Sequence, residues 1–358
     1  AGQGTRMESA VPKVLHNVGG RPMLFYTLRV ANALKPAAIG VVVGHEHEKV
    51  KAAVLAMAKD CGITRPITFI HQKKMLGSGN AVMESVPFLK AFKTVMVLCG
   101  DTPLLTYESI YSLAHSHQEQ KGQVTLLTAK LANPKGYGRI IRSALGEVLR
   151  IVEESVGSPK ELAISEINSG AYCFELDALL SGIKEIEAKG PKKEHFLTDV
   201  MELIRAKGGK INAYVSQNPE EVLGVNSRVQ LSTAERVMNR RLLDRMMLSG
   251  VTILDPASVH VDADVEVGQD TVIYPSTILR GKTKIGANCR IGPFCHIEDA
   301  QIANDCEVRM SSLSPAGCWR SRRWGRSPIS APNPCWGRAP RWGTSPRSRR
   351  PRSASGPR

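Results

Sequence analysis

The sequence predicts an α/β domain, with a mostly parallel sheet covered by helices on both faces, followed by a parallel β-helix. Two patterns carry this expectation. Through residue 225, short apolar runs alternate with segments of helical periodicity; from Val259 onward the apolar period shortens to six residues.

In the first region AAIGVVVG (37–44), ITFIH (67–71), TVMVLCGD (94–101), VTLLTAK (124–130) and GAYCFEL (170–176) read as strands. Segments near 21–33, 46–59, 79–90, 106–119, 177–188 and 196–207 read as helices. A capping box, Ser232 with Glu235 three residues on, is then expected to open a connector helix that runs to about Leu248. In the repeats VHVDAD, VEVGQD, TVIYPS, TILRGK, TKIGAN, CRIGPF and CHIEDA the third position is always aliphatic: Val261, Val267, Ile273, Leu279, Ile285, Ile291 and Ile297. Ile302 and Val308 continue the series after one five-residue step, and it stops at about Arg309. One inward aliphatic side chain per six residues lets stacked coils cover one another.

The chemistry is expected at the beginning. In AGQGTRMESAVPKVL (1–15), Gly2 and Gly4 let backbone N–H groups approach a phosphate, and Arg6 and Lys13 follow with Pro12 fixing the chain ahead of the lysine. Two cations beside a glycine turn suit a polyphosphate and the charge that develops as it breaks. Such a loop normally leaves the C-terminal end of a buried strand, so a strand is expected ahead of Ala1.

Other polar residues punctuate the strand ends. Gln72 precedes the Gly77-Ser78-Gly79 turn; its amide offers a donor and an acceptor, suiting the imide edge of uracil, although taken alone a surface Gln before a helix-start turn is the simpler reading. Asp101 closes an apolar strand, where it suits Mg²⁺ beside phosphates or a turn before Pro103. Asn226 offers a neutral oxygen ligand or a helix cap. Gly138 in GYGRI (136–140) permits close approach to a ligand or a hairpin turn. Glu153, Asn168 and Thr198 suit sugar hydroxyls and an N-acyl group, or plain surface and capping roles. The sequence holds no H-E-x-x-H, no P-loop and no Ser–His–Asp order, which argues against common hydrolases and P-loop kinases.

Composition separates the last 49 residues from the rest. The net charge is +15, but residues 310–358 contain eleven Arg and no Lys, Asp or Glu, leaving +4 for residues 1–309. Trp319, Trp324, Trp336 and Trp342, the four Trp of the chain, also fall there. A basic tail or a nucleic-acid arm has this composition. A shifted reading frame explains more. Read from the third base of each codon, with permitted synonymous codons, the tail from Trp319 onward yields LEKSAVGPFAHLRPESVLGEG and further hexapeptide-like sequence. The body is therefore not expected to bind nucleic acid. Eight scattered Cys without a CxxC pair suit reduced thiols in a cytoplasmic protein, and no segment approaches the ~18 apolar residues that span a membrane.

Taken in order, AGQGTRM (1–7), PKVL (12–15), QKKMLGSGNA (72–81), CGDTP (99–103), GYGRI (136–140), IVEE (151–154), INSGAY (167–172) and GVNSRVQL (224–231), followed by hexapeptide repeats, resemble the bacterial bifunctional N-acetylglucosamine-1-phosphate uridyltransferase/glucosamine-1-phosphate acetyltransferase family. The resemblance covers residues 1–309. It implies a Rossmann-like nucleotide-diphospho-sugar transferase domain over 1–226 without its first strand, a linker helix over 227–250 and the start of a left-handed parallel β-helix over 251–309. It further implies that the backbone at Ala1, Gly2 and Gly4 cradles UTP, that Arg6 and Lys13 neutralise its phosphates, and that Gln72, Gly77 and Ser78 read uracil. Gly138, Glu153, Asn168 and Thr198 would hold N-acetylglucosamine 1-phosphate, and Asp101 and Asn226 would hold Mg²⁺. The product would be UDP-N-acetylglucosamine for cell-wall and lipopolysaccharide precursors; another sugar 1-phosphate, or an inactive fragment, is the alternative.

The sequence departs from the family in three ways. Ser78 stands where the family usually has Thr, which keeps the hydroxyl. The family motif begins with a strand and two further residues ahead of Ala1. The family's acetyl-transfer site lies beyond Arg309, so no acetyltransferase residue is expected here, and the family's homotrimer, built through the β-helix, would lack coils. Sequencing the coding DNA across the codons for residues 300–320 is expected to reveal a frame change; an intact frame there would refute it.

Overall fold

The computed structural model of the chain describes residues 4–189, 193–314 and 317–318. The expectations for Ala1 and Gly2, for a strand ahead of them and for the tail from Trp319 lie outside those residues.

The first region contains strands β1 (Ile39–Val43), β2 (Ile67–His71), β3 (Thr94–Val97), β4 (Val124–Lys130), β5 (Arg139–Arg142), β6 (Val148–Val152), β7 (Glu166–Glu175) and β8 (Ile211–Val215). Its helices are α1 (Met23–Ala33), α2 (His47–Ala58), α3 (Gly77–Leu89), α4 (Tyr107–Gln120), the single turn α5 (Pro159–Leu162), α6 (Leu176–Ile183) and α7 (Asp199–Ala206). Parallel pairing joins β1 to β2 and β8 to β4. The main sheet runs β8-β4-β7-β5-β6, with β3 beside the C-terminal half of β7.

Here the structure modifies the expected parallel sheet. β7 runs antiparallel to β3, β4 and β5, so the sheet is mixed. Between β4 and β7 the chain makes the β5–β6 hairpin instead of a crossover helix, and without a crossover a returning strand must run antiparallel. The burial of β4, with six of its seven residues inside, is that of a strand covered on both faces.

Helix α8 (Arg228–Leu248) also differs from its expected start. It begins four residues before Ser232, because the Ser227 hydroxyl accepts from the Gln230 N–H and caps it there. Glu235, expected in a capping box, instead accepts from the Gly19 N–H at 2.8 Å.

Beyond α8 the short strands form three parallel ladders. Val272 lies beside Arg290 and Ile278 beside His296, eighteen residues on, which is three hexapeptides per coil. Ile273, Leu279, Ile291 and Ile297 are fully buried and Val267 only half-buried, so the third-position series lines the interior as the repeat predicts. Among the described residues the last parallel strand is Ser312–Ser314. One apolar cluster joins Val41 and Val43 of β1, the inner side of α8 and the inward residues of the β-helix. The Ile291→Ala variant empties one inward position and is expected to cost about 2–5 kcal/mol in urea unfolding; an unchanged midpoint would show that this interior is not packed.

Candidate active site

The loop from Gly4 to His16 folds as two short 3₁₀ turns, Thr5–Met7 and Lys13–Leu15. Gly4 has φ +63°, and a Cβ there would lie 2.8 Å from Cβ of Lys13, so the turn closes onto the lysine stem only with glycine. Pro12 directs the second turn and thereby the Lys13 side chain. The Lys13 ammonium donates to Oδ2 of Asp101 and, at 2.9 Å, to Oδ1 of Asn226. The Val225 N–H donates to the Asp101 carbonyl at 2.8 Å, which fixes the two acceptor segments to each other. The Lys13 and Asp101 side chains are 16% and 22% exposed, so the pair is less screened than a surface ion pair. Arg6 is exposed, and no hydrogen bond or ion pair of it is seen among the described residues.

A second cluster gathers Gly138, Glu153, Asn168 and Thr198. The Asn168 N–H donates to the Gly138 carbonyl at 2.9 Å, and the buried Thr198 hydroxyl donates to Oε1 of Glu153 at 2.8 Å. A Cβ on Gly138 would lie 3.5 Å from Oε2 of Glu153. Asn168 donates to the Tyr172 hydroxyl at 2.6 Å and accepts from the Gly170 N–H at 3.2 Å, keeping one amide proton free for a ligand. Burial raises the Glu153 carboxyl above the usual carboxylate range, against the Thr198 hydrogen bond.

Between these clusters lies Cys99, whose thiol donates to the Gly170 carbonyl at 3.4 Å. Burial, then the Asp101 charge, push that thiol up to about 12, so it stays protonated and unreactive.

The third cluster is Gln72, Gly77 and Ser78. Gln72 directly follows β2, is 2% exposed, and donates its amide protons to the Gly77 carbonyl and to Oδ1 of Asn80. Its donors therefore hold the turn, and Oε1 remains for a ligand. Gly77 has φ +92° and sits against the His195 backbone, while the Ser78 hydroxyl accepts from the Leu197 N–H at 3.1 Å. Leu197 adjoins Thr198. The described candidate residues, Arg6 apart, thus form one arc running from Gln72 through Ser78, Thr198, Glu153, Asn168 and Cys99 to Asp101, Asn226 and Lys13.

Sequence reasoning missed the residues that hold this arc from behind. Arg139 is 2% exposed; its guanidinium meets Oε2 of Glu154 at 2.8 Å and donates to the Tyr137 and Leu162 carbonyls. It therefore ties the residues flanking Gly138 and Glu153. Tyr137 accepts from the Gly224 N–H at 3.1 Å, next to Asn226. Both lie in or beside GYGRI, so their only signal was proximity to a motif glycine.

Fold and site together define a nucleotide-handling α/β transferase domain joined to a β-helix. The chain belongs to the nucleotidyl transferase family, which it matches over residues 1–218. It is 43% identical over 265 residues to the bifunctional protein GlmU of Trichlorobacter lovleyi, covering 74% of this chain and 56% of that protein. It is 45% identical over 311 residues to the bifunctional protein GlmU of Caldanaerobacter subterraneus subsp. tengcongensis, covering 87% and 66%. The chain thus spans 56–66% of the length of these relatives. Among solved structures, a putative glucose-1-phosphate thymidylyltransferase from Bacillus anthracis superposes with TM-score 0.55 at 20% identity, over 66% of this chain and 92% of that one. UDP-glucose pyrophosphorylase complexed with UDP-glucose superposes with TM-score 0.56 at 17% identity, over 67% and 96%, so both share the fold.

The raised Glu153 carboxyl has a testable sign. Its proton is held to higher pH in the folded state than the ordinary 4.5, so its ionisation weakens the fold as pH rises through that window. The melting temperature of Glu153→Gln, relative to the unsubstituted protein, is expected to rise as pH increases above 4.5. A difference that is flat with pH would contradict this environment for Glu153.

Proposed function

We propose that the first domain transfers the uridylyl group of UTP to N-acetylglucosamine 1-phosphate, forming UDP-N-acetylglucosamine and releasing pyrophosphate. The observation that carries the reading is the continuity of the arc. A cation-bearing cluster around Lys13 and a polar cluster around Glu153 adjoin at Cys99, with the Gln72 turn beyond. A phosphate oxygen of the sugar 1-phosphate attacks the α-phosphorus in line. As that P–O bond forms, the bond to the bridging oxygen breaks, and pyrophosphate leaves with the electron pair.

No covalent protein intermediate is needed, so the residues act by position and charge. Lys13, with Arg6 on the preceding turn, neutralises the phosphates. Glu153, fixed by Thr198, accepts from a sugar hydroxyl through its free oxygen. Asn168 offers its remaining amide proton to the N-acyl carbonyl, and the backbone at Gly138 lets the ring approach. Oε1 of Gln72 and the backbone of the Gly77-Ser78 turn face the uracil edge, and Ala1, Gly2 and Gly4 belong to the UTP loop.

The donors Asp101 and Asn226 suit Mg²⁺. Their side-chain oxygens already converge on one positive charge, the Lys13 ammonium, and a single carboxylate with a neutral oxygen is a set that Mg²⁺ completes with phosphate and water. Bound there in place of the Lys13 ammonium, which would then turn to the phosphates, Mg²⁺ would supply charge neutralisation at the phosphates. Among the described residues no helix is long and apolar enough to cross a membrane. Cys61, Cys99, Cys173, Cys289, Cys295 and Cys306 are free thiols, which suits a cytoplasmic setting. The same reading carries self-association through the β-helix, which sedimentation of the full chain measures.

Pyrophosphate release is expected with UTP and N-acetylglucosamine 1-phosphate, and to be weaker with glucose 1-phosphate or with another nucleoside triphosphate. Preference for a different pair would reassign the substrate. Asp101→Ala is expected to lower turnover by about a hundredfold or more with the fold intact; near-normal turnover would remove Asp101 from the site.

A further inference from the structure

Arg228 stands at the first position of α8, two residues after Asn226, and its side chain reaches back across the chain to the N-terminal loop. Its Nε donates to the Met7 carbonyl at 3.2 Å, and its Nη1 lies 3.3 Å from Nδ1 of His16. Those two contacts fall on either side of Lys13. Met7 ends the first 3₁₀ turn, its side chain is 1% exposed and its N–H donates to the Gly4 carbonyl at 2.8 Å. His16 caps the second turn, is 8% exposed and accepts through its carbonyl from the Met23 N–H at the start of α1.

Guanidinium has no acceptor, so the contact with His16 requires a neutral imidazole that accepts at Nδ1. Burial, followed by the Arg228 charge, lowers the His16 pKa, which keeps the ring in that form. The same start of α8 is anchored independently. Ser227 caps it, and the Asn226 N–H donates to the Gln230 side chain at 2.8 Å. Arg228 therefore projects from a fixed base onto both ends of the loop segment that carries Lys13.

We propose that Arg228 is a positioning residue for the nucleotide loop: its planar fork grips both ends of the Met7–His16 segment and sets Lys13 against Asp101 and Asn226. This rests on the uridylyl-transfer reading for its kinetic consequence, and on the geometry alone for its structural one. Lysine ends in one compact ammonium and lacks the planar fork, so it does not reproduce the geometry of both contacts together. Arg228 touches none of the sugar-side cluster, so its loss acts on the nucleotide half of the site.

The test uses the full chain with Arg228→Ala and Arg228→Lys. Amide hydrogen exchange, read without substrate, is expected to accelerate at least about tenfold over residues 7–16 in Arg228→Ala. Exchange in α4 is expected to stay unchanged. In pyrophosphate-release assays the KM for UTP is expected to rise and kcat to fall, while the KM for N-acetylglucosamine 1-phosphate stays within about twofold. Arg228→Lys should fall between the two proteins in both readouts, and it serves if the alanine variant does not fold. Unchanged exchange over residues 7–16, or equal changes in both KM values, would overturn the proposal. Inactivity of the unsubstituted chain would instead defeat the uridylyl-transfer reading and leave the exchange result to decide this one.

Discussion

Three distant parts of the chain meet at one ammonium group. Lys13 binds Asp101, 88 residues on, and Asn226, 213 residues on, and the rest of the site is arranged around that junction. Removing either acceptor would leave a partly buried charge short of a partner, an imbalance that costs more than a surface pair contributes. The surrounding choices follow from it. Gly4 lacks a side chain because the lysine stem occupies that space, Pro12 starts the turn that aims the stem, and the Val225 N–H staples the Asn226 segment to the backbone of Asp101. The loop also stops where it must: His16 hands its carbonyl to the Met23 N–H, and α1 begins.

Legibility of the fold tracked how local the cause was. Ile67–His71 and Val124–Lys130 coincide with the apolar runs that predicted them: the second is buried on both faces and so apolar along most of its length, while the first half-buries Ile67, Phe69 and Ile70 and exposes Thr68 and His71. The hexapeptide series was equally plain, since each coil rests on the next with the same side chain inward. The β5–β6 hairpin and β8 left weaker marks. β5 is RIIR and β8 is INAYV, and each mixes polar residues with a few apolar ones on a partly covered sheet. The direction of β7 has no local cause at all: it follows from the hairpin that precedes it. The start of α8 was misplaced because two serines offered caps, and the choice of Ser227 fits the tertiary duties of Asn226, Arg228 and Glu235 around it.

The site divides in the same way. Side chains bearing charged, amide or hydroxyl groups stood out by type in loops and at element ends, and Lys13, Asp101, Asn226, Gln72, Ser78, Glu153, Asn168 and Thr198 lie along one connected arc. What the sequence hid was how they are held. Arg139, Arg228, Cys99 and Tyr137 all act on backbone groups (the Tyr137, Leu162, Met7 and Gly170 carbonyls and the Gly224 N–H), and a backbone partner has no identity to read. Gln72 shows the reverse. Its type suggested a base reader with donor and acceptor free, whereas its donors are committed to the turn that carries Gly77.

Helix α8 explains why the β-helix is part of this core and not a loosely tethered addition. The first coil of a β-helix has no neighbour beneath it, so its backbone groups need other partners. The Asn239 amide supplies two, donating to the Val259 carbonyl at 2.8 Å and accepting from the Val261 N–H at 2.9 Å. Gly19, in the short hairpin that pairs Asn17–Val18 with Arg21–Pro22 after the lysine loop, supplies a third by accepting from the Ala263 N–H at 2.9 Å. Arg21 in the same hairpin pairs with Asp60 just after α2 and with Asp264 of the first coil. The helix whose first residues flank Asn226 and grip the lysine loop is therefore the one that closes the β-helix further along. Apolar packing continues without a break from Val43 through Leu243 to Ile297. A disturbance of the first coil thus has a short physical route to Lys13, through Gly19, Glu235 and Arg228, without any change in the sheet.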